Sequence, residues 1–316
     1  MKDVQILNLN PSLDHTGILK KPLTGDVVRV EEVVPLASGK GIDVARVLKT
    51  LGYDHYVVAN ILGGGVGRLI KENLDEENIN YWNYWIKGDS RINYALVREA
   101  EDRTLMINEQ GPRISPYEKE EFLNELFDWF KEGQIMVLAG SATIGFDQSD
   151  IAAIVRQARE KEMYIAIDSS KSYLKACLQE DFDLLKINDQ EFINAFKNKY
   201  DYLFEDKRDF IRVIEQEGLE RAIITFGKEG SLLYHKGQAV FGHNQKVFSS
   251  YAIGSGDSFL AGYIYGFVND YTETEALKLA MACGAANTRQ YGAGKISCDH
   301  VEEIRDNYLE IEKLDI

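Results

Sequence analysis

One stretch whose residue types and spacing could do chemistry lies toward the carboxyl end of the chain, Ile253-Gly254-Ser255-Gly256-Asp257-Ser258-Phe259-Leu260-Ala261-Gly262. Its first two glycines carry no Cβ atom, so the backbone there can approach a ligand closely. The apolar residues that follow recur at helical spacing, which predicts a helix that begins here. Because the first amides of a helix lack internal acceptors and the helix dipole is positive at that end, the stretch is suited to bind an anion.

Asp257 lies in the first turn of this predicted helix. Nearby amide donors favour the charged form of a carboxylate, so we expect Asp257 to be ionised at neutral pH and able to accept a proton. An anion pocket that contains a carboxylate suits phosphoryl transfer to a hydroxyl, because the amides hold the phosphoryl group while the base takes the alcohol proton. The alternative is a glycine-rich helix start whose aspartate only caps the helix, and Gly-x-Gly-Asp alone would favour that alternative.

Composition excludes several classes of protein. The 316 residues suit one large α/β domain with a smaller appendage, or two average domains. Lys and Arg number 36 against 51 Asp and Glu, a formal charge of -15, which argues against nucleic acid or an anionic membrane as partner. No apolar run has membrane-spanning length, and we expect no signal peptide at the start of the chain. The three cysteines are far apart and odd in number, so we expect a cytoplasmic protein.

The second part of the chain alternates between helices and strands. Strands are predicted at 135–139, 164–168, 184–187 and 222–226, with a possible hairpin at 231–234 and 239–241. Helices are predicted at 116–131, 148–161, from Asp189, and at 207–216, 255–268 and 273–289, with an amphipathic helix at 301–314. This alternation predicts a doubly wound, mostly parallel sheet with helices on both faces.

The first part of the chain interrupts this pattern with two strand-rich segments. Buried strands are predicted at 4–9, where a loop ends the strand, and at 56–62, where three glycines lead into a helix. The strand-rich segments lie at about 11–37 and 89–110, and we expect them to pair into one small sheet. That sheet would form a lid over a single domain that spans residues 1–316.

Several motifs, in order along the chain, resemble those of one protein family. They are Asn10-Pro11-Ser12-Leu13-Asp14, Ser38-Gly39-Lys40-Gly41-Ile42-Asp43-Val44-Ala45, Ser90-Arg91-Ile92-Asn93, Asn108-Glu109-Gln110-Gly111-Pro112 and Gly254-Ser255-Gly256-Asp257-Ser258. Together they resemble the ribokinase-like (PfkB) carbohydrate kinases, in the branch of 1-phosphofructokinases, minor 6-phosphofructokinases and tagatose-6-phosphate kinases. The likeness covers nearly the whole chain.

The resemblance implies ATP-dependent phosphorylation of a ketohexose phosphate to a bisphosphate. Tagatose 6-phosphate and fructose 6-phosphate rank ahead of fructose 1-phosphate. The resemblance makes Asp257 the base, and the backbone amides of Gly254, Ser255 and Gly256 would hold the moving phosphoryl group. The sugar would be bound by Asp14, Gly39, Lys40, Asp43, Arg91, Asn93 and Ser141.

Arg91 bears on the substrate class, because the arginine at this place in the branch contacts a phosphate that the sugar already carries. A guanidinium can bind phosphate through two parallel hydrogen bonds, and Lys40 could add a point charge. A surface arginine on an exposed strand is the alternative.

The nucleotide side rests on Asn188-Asp189-Gln190-Glu191, which resembles the family's Asn-x-x-Glu. In the family this motif organises Mg²⁺ through water, which is reasonable because Mg²⁺ keeps several waters. A capping box, with Asn188 at the N-cap and Glu191 at the third helical position, explains the same residues, and both roles can hold at once. The resemblance implies nucleotide contacts for Lys186, Asn188, Thr225, Gly227, Gly230 and Asn287, the last in the adenine pocket. No Gly-x-x-x-x-Gly-Lys-Ser/Thr loop occurs, which argues against a P-loop kinase.

Asp43 departs from the family pattern, which has asparagine at this position. An aspartate accepts hydrogen bonds but cannot donate them, and it adds negative charge near a phosphosugar. Tyr251-Ala252 replaces the Asp-Thr of ribokinase relatives, so no potassium site is predicted.

Two other functions are compatible with the motifs. One is a kinase of an unphosphorylated sugar or nucleoside, which Arg91 argues against. The other is a non-catalytic sugar-phosphate sensor, which a broken base or magnesium motif would mark. A lid sheet this small leaves an apolar face exposed, so we expect a homodimer through the lid.

Overall fold

A ten-stranded sheet forms the centre of the computed structural model, which describes residues 2–20, 29–30, 32–101, 103–246 and 251–314. Its strands are, in spatial order, Leu309–Leu314 (β14), Gln238–Asn244 (β13), Gly230–His235 (β12), Arg221–Thr225 (β11), Leu184–Asn188 (β10), Tyr164–Asp168 (β9), Ile135–Ala139 (β8), Val4–Asn8 (β1), Tyr56–Gly63 (β4) and Tyr81–Ile86 (β5). Neighbours from β11 to β5 are parallel, and β12, β13 and β14 continue the sheet in antiparallel pairs. The predicted mostly parallel sheet is confirmed.

Helices cover both faces of this sheet, which explains why its strands are apolar on both sides. They are Lys40–Thr50 (α1), Gly64–Glu76 (α2), Pro116–Trp129 (α3), Gln148–Glu160 (α4), Lys171–Cys177 (α5), Asp189–Phe196 (α6), Lys207–Gln216 (α7), Ser255–Val268 (α8), Glu273–Asn287 (α9) and Cys298–Asn307 (α10). One buried apolar cluster joins the sheet to α1, α2, α8, α9 and α10, and a second joins it to α3 to α7.

A separate four-stranded sheet is built from the two strand-rich segments, as predicted. Its order is Glu32–Ser38 (β3), Ser12–Leu19 (β2), Arg91–Arg98 (β6) and Arg103–Asn108 (β7). The central pair β2 and β6, one strand from each segment, is parallel, whereas the outer pairs, each formed within one segment, are antiparallel. We call this sheet the lid. Residues 21–28 of the predicted lid segment lie outside the described residues.

The carboxyl-terminal end differs from the prediction of one helix over 301–314. Helix α10 ends at Asn307, and the chain then forms strand β14, which pairs with β13 along the edge of the large sheet. Leu309 and Ile311 pack on the core from one face of the strand, whereas Leu314 packs from the other. This segment is a strand and not a helix because it pairs with β13, which is distant from it in the sequence. None of the described helices has the length and hydropathy needed to cross a membrane.

Candidate active site

The carboxyl ends of neighbouring parallel strands form the floor of the candidate site, the usual place for ligands in an open α/β sheet. Thr225 ends β11 and lies beside Asn188, which ends β10. Asp168 ends β9 and pairs with the last residue of β8, two positions before Ser141. Asn10 follows β1, the next strand in the sheet. Three of the predicted residues, Thr225, Asn188 and Ser141, therefore lie along one edge of the sheet, together with Asp168 and Asn10.

The glycine turn before helix α8 requires glycine. Gly254 has a φ of 80°, and a Cβ atom there would lie 2.6 Å from the Cα atom of Ala293. A Cβ atom on Gly256 would lie 2.9 Å from the Nζ atom of Lys186. Any side chain would strain the first position, and the second would crowd an ammonium group that lies against the turn.

The amides of this turn fit an anion hole, with one correction to the sequence prediction. The Ser255 amide donates to the carbonyl of Ala252 at 3.1 Å, so it is already used within the turn. The amides of Gly254, Gly256 and Asp257 have no acceptor among the described residues. These three, at the positive end of α8, are available to an anion.

Asp257 is buried, and its surroundings change the expectation drawn from the amides alone. Burial raises the pKa of Asp257 to about 6; Lys40 and Lys186 oppose this rise, whereas Asp168 and Asp14 add to it. A carboxyl group with that pKa is roughly nine-tenths ionised at pH 7 and is a stronger base than an exposed aspartate. It therefore remains charged, but burial brings its pKa closer to that of a proton acceptor working near neutrality.

Asp168 holds the two lysines of the site. Its two carboxylate oxygens accept from the Nζ atoms of Lys40 and Lys186, at 2.6 and 2.7 Å. Burial alone would raise the pKa of this carboxyl group, but the two ammonium groups outweigh burial and lower it. The two lysines therefore share one carboxylate. Lys186 lies against the glycine turn, and Lys40 lines the pocket on the sugar side. The sequence analysis predicted both lysines but did not assign Asp168 to the site.

A pocket of about 220 Å³ opens beside Lys40 and collects four of the predicted residues. Lys40, Arg91 and Ser141 supply two cations and a hydroxyl, and Glu191 lies on the nucleotide side. The rest of its wall consists of Asn8, Asn10, Ala139, Gly140 and Ser170. Two cations and a hydroxyl around one small pocket suit a phosphate group.

Arg91 is oriented by main-chain carbonyls. Its guanidinium donates to the carbonyl oxygen of Asn10 through Nε and Nη2, at 3.2 and 2.9 Å, and to that of Glu109 through Nη1 at 3.2 Å. Each terminal nitrogen keeps one further N–H, so the side chain retains two donors for a ligand. The alternative of a freely exposed arginine is excluded, because this residue is tied to the pocket wall.

The predicted sugar residues on the lid share one hydrogen-bond group. Oδ1 of Asp14 accepts from the hydroxyl of Ser12 at 2.6 Å and from Nδ2 of Asn93 at 2.9 Å. Oδ1 of Asn93 is buried and has no partner among the described residues. A buried acceptor without a donor costs free energy, so this atom fits a ligand hydroxyl. Gly39, at the N-cap of α1, has a φ of 114° and packs tightly on Asn8.

Asp43, the departure from the family pattern, is buried and paired. Its Oδ1 accepts from Nη1 of Arg46 at 2.9 Å, and both its oxygens lie 3.2 Å from the hydroxyl of Ser38. Burial raises the pKa of Asp43 well above its usual value, while Arg46 opposes that shift. Asp14 and Asp257 also act on this carboxyl group, which places it in the same electrostatic environment as the base.

The residues predicted on the nucleotide side lie in a helix cap and in a turn that contains two glycines with positive φ. Asn188 and Glu191 form the capping box that was one of the two expected roles: Oδ1 of Asn188 accepts from the Glu191 amide at 2.8 Å. Gly227 and Gly230 flank a short 3₁₀ turn after Thr225, with φ values of 56° and 136°. A Cβ atom on Gly230 would meet the backbone of β13. These glycines allow a close turn beside Asn188.

Asn287 is corrected by the structure. It is completely buried, so it does not line an adenine pocket as predicted. Its Nδ2 donates to the Ile253 carbonyl at 2.7 Å and lies 3.3 Å from the hydroxyl of Ser255. Its Oδ1 accepts from Ser258 at 3.2 Å and from the Gly294 amide at 2.9 Å. The side chain therefore braces the glycine turn.

Comparison with known proteins decides the family. The family model described as pfkB family carbohydrate kinase matches residues 8–299. The chain belongs to this family. The pfkB kinase is 32% identical to a tagatose-6-phosphate kinase of Staphylococcus epidermidis over 317 aligned residues, covering 98% of this chain and 99% of the relative.

Solved structures show the same fold. Phosphofructokinase-2 of Escherichia coli in complex with substrates and products has a TM-score of 0.88 at 22% identity, covering 97% of this pfkB kinase and 99% of that chain. The tetrameric inhibited form of the same enzyme has a TM-score of 0.86 at 23% identity, with 97% and 99% coverage. The chain is thus an ATP-dependent sugar kinase with the ribokinase-like fold.

Two buried charged residues of this pfkB kinase were missed by sequence reasoning. Asp168 directly follows the apolar run Ile165-Ala166-Ile167 and ends the strand. A carboxylate at the end of such a strand is a usable signal for a site residue. Arg46 lies on the buried face of α1, where a charge stands out among apolar neighbours. Both are recognised once the partners of Lys40 and Asp43 are known.

Proposed function

We propose that this kinase transfers the γ-phosphoryl group of ATP to the free hydroxyl of a ketohexose phosphate and forms the bisphosphate. The observation that carries the proposal is the pocket that Lys40, Arg91 and Ser141 share, because it offers two cations to a phosphate already on the sugar. The full-length likeness to a tagatose-6-phosphate kinase supports the same substrate class. Tagatose 6-phosphate and fructose 6-phosphate are the first candidates, followed by fructose 1-phosphate.

In the proposed reaction, the sugar hydroxyl lies between Asp257 and the γ-phosphate. The hydroxyl oxygen forms a bond to phosphorus, the bond from phosphorus to the ADP oxygen breaks, and the proton passes to the Asp257 carboxylate. The amides of Gly254 and Gly256, which have no acceptor among the described residues, would stabilise charge on the moving phosphoryl group together with Lys186, which lies against the turn. The lid residues Asp14 and Asn93 would orient the sugar.

Mg²⁺ is part of this proposal, and the acidic residues present fit it. No group of three metal-ligating side chains exists in the part of the chain that the structure describes. Mg²⁺ that enters with ATP needs few protein oxygens because it keeps several waters. Glu191, which lines the pocket, and Asn188, its partner in the capping box, would hold it through water. The ion would neutralise charge on the phosphates of the nucleotide.

A coupled assay of ADP release tests the substrate class. We expect turnover with one phosphoketose among tagatose 6-phosphate, fructose 6-phosphate and fructose 1-phosphate, and none with ribose or adenosine. Arg91→Ala should remove the preference for phosphorylated sugars, whereas Arg68→Ala, on the exposed surface of α2, should not. Turnover confined to ribose or adenosine would show that the kinase acts on unphosphorylated substrates.

We further propose that two lids pair in a homodimer, and that the enzyme is cytoplasmic. Val33, Leu105 and Leu96 lie in register on one face of the lid, and Tyr94 and Ile107 extend that face. Four of these five side chains are 43–57% exposed. Such an apolar face needs a cover, and a second copy supplies one of matching shape.

Two observations test these proposals. A dimer by light scattering that becomes a monomer in Ile107→Glu would support lid pairing, and a monomeric wild type would contradict it. The cytoplasmic location is supported by three free cysteines, two of them buried. Detection of the enzyme outside the cytoplasm by fractionation would overturn it.

A further inference from the structure

Arg46 uses every donor of its guanidinium inside the protein. Nε donates to Oε2 of Glu77 at 2.5 Å, and Nη2 donates to Oε1 of Glu77 at 3.0 Å and to the carbonyl of Ala37 at 2.6 Å. Nη1 donates to Oδ1 of Asp43 and to the carbonyl of Ala293, both at 2.9 Å. The side chain is 5% exposed. A buried guanidinium with five matched acceptors is rigid, because moving it would leave several of them unpaired.

One of these bonds, to the carbonyl of Ala293, reaches toward the glycine turn. Ala293 lies directly behind Gly254, since a Cβ atom on Gly254 would be 2.6 Å from the Cα of Ala293. The next residue, Gly294, packs on the backbone of Asp43 and donates its amide to Asn287. Asn287 in turn holds the turn itself. The segment 292–294 is therefore fixed by Arg46 on one side and supports the anion hole on the other.

Two other bonds reach toward the sugar side. Ala37 lies near the end of β3, where the lid strand returns to the core just before Ser38 and α1. The negative charges of Asp257 and Asp14 lie close enough to Asp43 to raise the pKa of its carboxyl group. Arg46 is the cation that pairs with the buried Asp43, at a position where the motif that this chain resembles has asparagine. One guanidinium thus contacts the lid root, the substrate-side carboxylate and the support of the catalytic turn.

We propose that Arg46 is a positioning residue that fixes the lid root and Asp43 relative to the glycine turn, so that the sugar hydroxyl and the phosphoryl group meet in register. The proposal rests on the proposed function for its kinetic consequences. Its structural consequence, order in segments 253–256 and 292–294, does not depend on which substrate the enzyme uses. Arg46 touches no reacting atom.

The test compares Arg46→Lys with Glu77→Gln. Arg46→Lys keeps a charge for Asp43, but three ammonium protons cannot replace five fixed donors. Glu77→Gln weakens the pairing of Arg46 with a partner whose side chain is 25% exposed, keeps the acceptors of Ala37, Asp43 and Ala293, and serves as the control for stability. An Arg46→Met, Asp43→Asn double variant removes the charge from both partners together, should Arg46→Lys fold poorly.

For Arg46→Lys we expect kcat per folded molecule to fall ~10- to 100-fold and the KM for phosphosugar to rise, because a shift of about 1 Å in the reacting groups costs about that much. The Kd for Mg-ATP should change less than about twofold, and Glu77→Gln should keep both kinetic constants within about twofold. A purely structural role would lower the folded fraction alone. The double variant should show the same loss of kcat, since neutralising the pair does not restore the bonds to Ala37 and Ala293.

Hydrogen exchange provides the readout that is independent of activity. Amides of 253–256 and 292–294 should exchange faster in Arg46→Lys than in Glu77→Gln, with α4 unchanged in both. Equal exchange in the two variants would overturn the positioning role, whatever the substrate. A wild-type enzyme that turns over no phosphosugar would instead overturn the proposed function, and the exchange comparison would still decide the role of Arg46.

Discussion

Replacing Asp168 by asparagine removes the single carboxylate that a buried lysine, Lys186, shares with the partly exposed Lys40. The wild-type carboxylate accepts from Lys40 and Lys186 at 2.6 and 2.7 Å. An asparagine amide offers one oxygen acceptor, and its NH₂ group faces the second lysine donor to donor. One ammonium group therefore loses its partner and is repelled from its position.

The magnitude follows from the burial of each partner. Lys186 has 5% of its side chain exposed and Lys40 has 35%. Removing one partner of a buried ion pair costs about 3–5 kcal/mol, and the share of Lys40 is smaller because water screens it. We therefore expect Asp168→Asn to lower the free energy of unfolding by roughly 3 kcal/mol, and displacement of the lysines to lower kcat by ~10- to 100-fold.

The pH dependence of kcat/KM gives a second, independent test of the role of Asp168. The Asp168 charge raises the pKa of Asp257, whereas the two lysines lower it. An ammonium group released from Asp168 still acts on nearby Asp257 as a positive charge, although it no longer fixes the reacting groups. Loss of the Asp168 charge therefore lowers the pKa of Asp257 below its wild-type value of about 6, and the acid limb of kcat/KM moves to lower pH. The residual activity of Asp168→Asn, small as it is, should persist further into acid than that of the wild type.

Urea denaturation and kcat/KM measured across pH check both effects. Asp150→Asn is the control, because Asp150 accepts from Lys119 at the same 2.6 Å but lies outside the pocket. It should lose some stability without any change in the acid limb. An unchanged acid limb in Asp168→Asn, or a limb displaced to higher pH, would refute the reasoning about the shared carboxylate.

Three further predictions concern the base and the turn. Wild-type kcat/KM should fall as the pH drops below about 6, because Asp257 takes up a proton; a profile that stays flat well below that pH would count against Asp257 as base. Gly254→Ala should abolish most activity, because the new Cβ atom would clash with Ala293. Gly52 has nearly the same φ, 81° against 80° for Gly254, but nothing lies within 4 Å of its Cβ position, so Gly52→Ala should cost only ~1 kcal/mol of stability. Equal loss of activity in the two variants would contradict the clash with Ala293. Asn287→Ala should lower stability by ~1–3 kcal/mol and kcat as well, while the Kd for ATP is retained; weaker ATP binding with intact kcat would restore the adenine contact that burial argues against.

Much of the fold was predictable because the spacing of apolar residues distinguishes its strands from its helices. The bounds 164–168, 207–216 and 255–268 agree with the structure to the residue, since apolar spacing and turn residues there give the same answer. The end of the chain was predicted wrongly, because β14 is defined by pairing with β13, an interaction between distant residues. The short helix α5 has few turns and gave no comparable signal.

The site was predictable where motifs carry it and not where packing does. The motif residues Lys40, Arg91 and Ser141 do converge on one pocket. Asp168 was missed because its role appears only when two lysines from other elements meet it. The burial of Asn287 was not foreseen for the same reason, since it depends on how α9 packs against the turn. The raised pKa of Asp257 likewise comes from burial, which the local sequence does not show.

The central claim is that Asp257 is the base in phosphoryl transfer to a ketohexose phosphate. The most direct test is the initial rate of ADP release with Mg-ATP and tagatose 6-phosphate or fructose 6-phosphate, for the wild type and for Asp257→Asn of equal folded fraction. We predict turnover by the wild type on at least one of the two sugars, and a loss of about 100- to 10,000-fold in Asp257→Asn with ATP binding retained. Wild-type rates in the asparagine variant, or no turnover of either sugar by a wild type that binds ATP, would contradict the account.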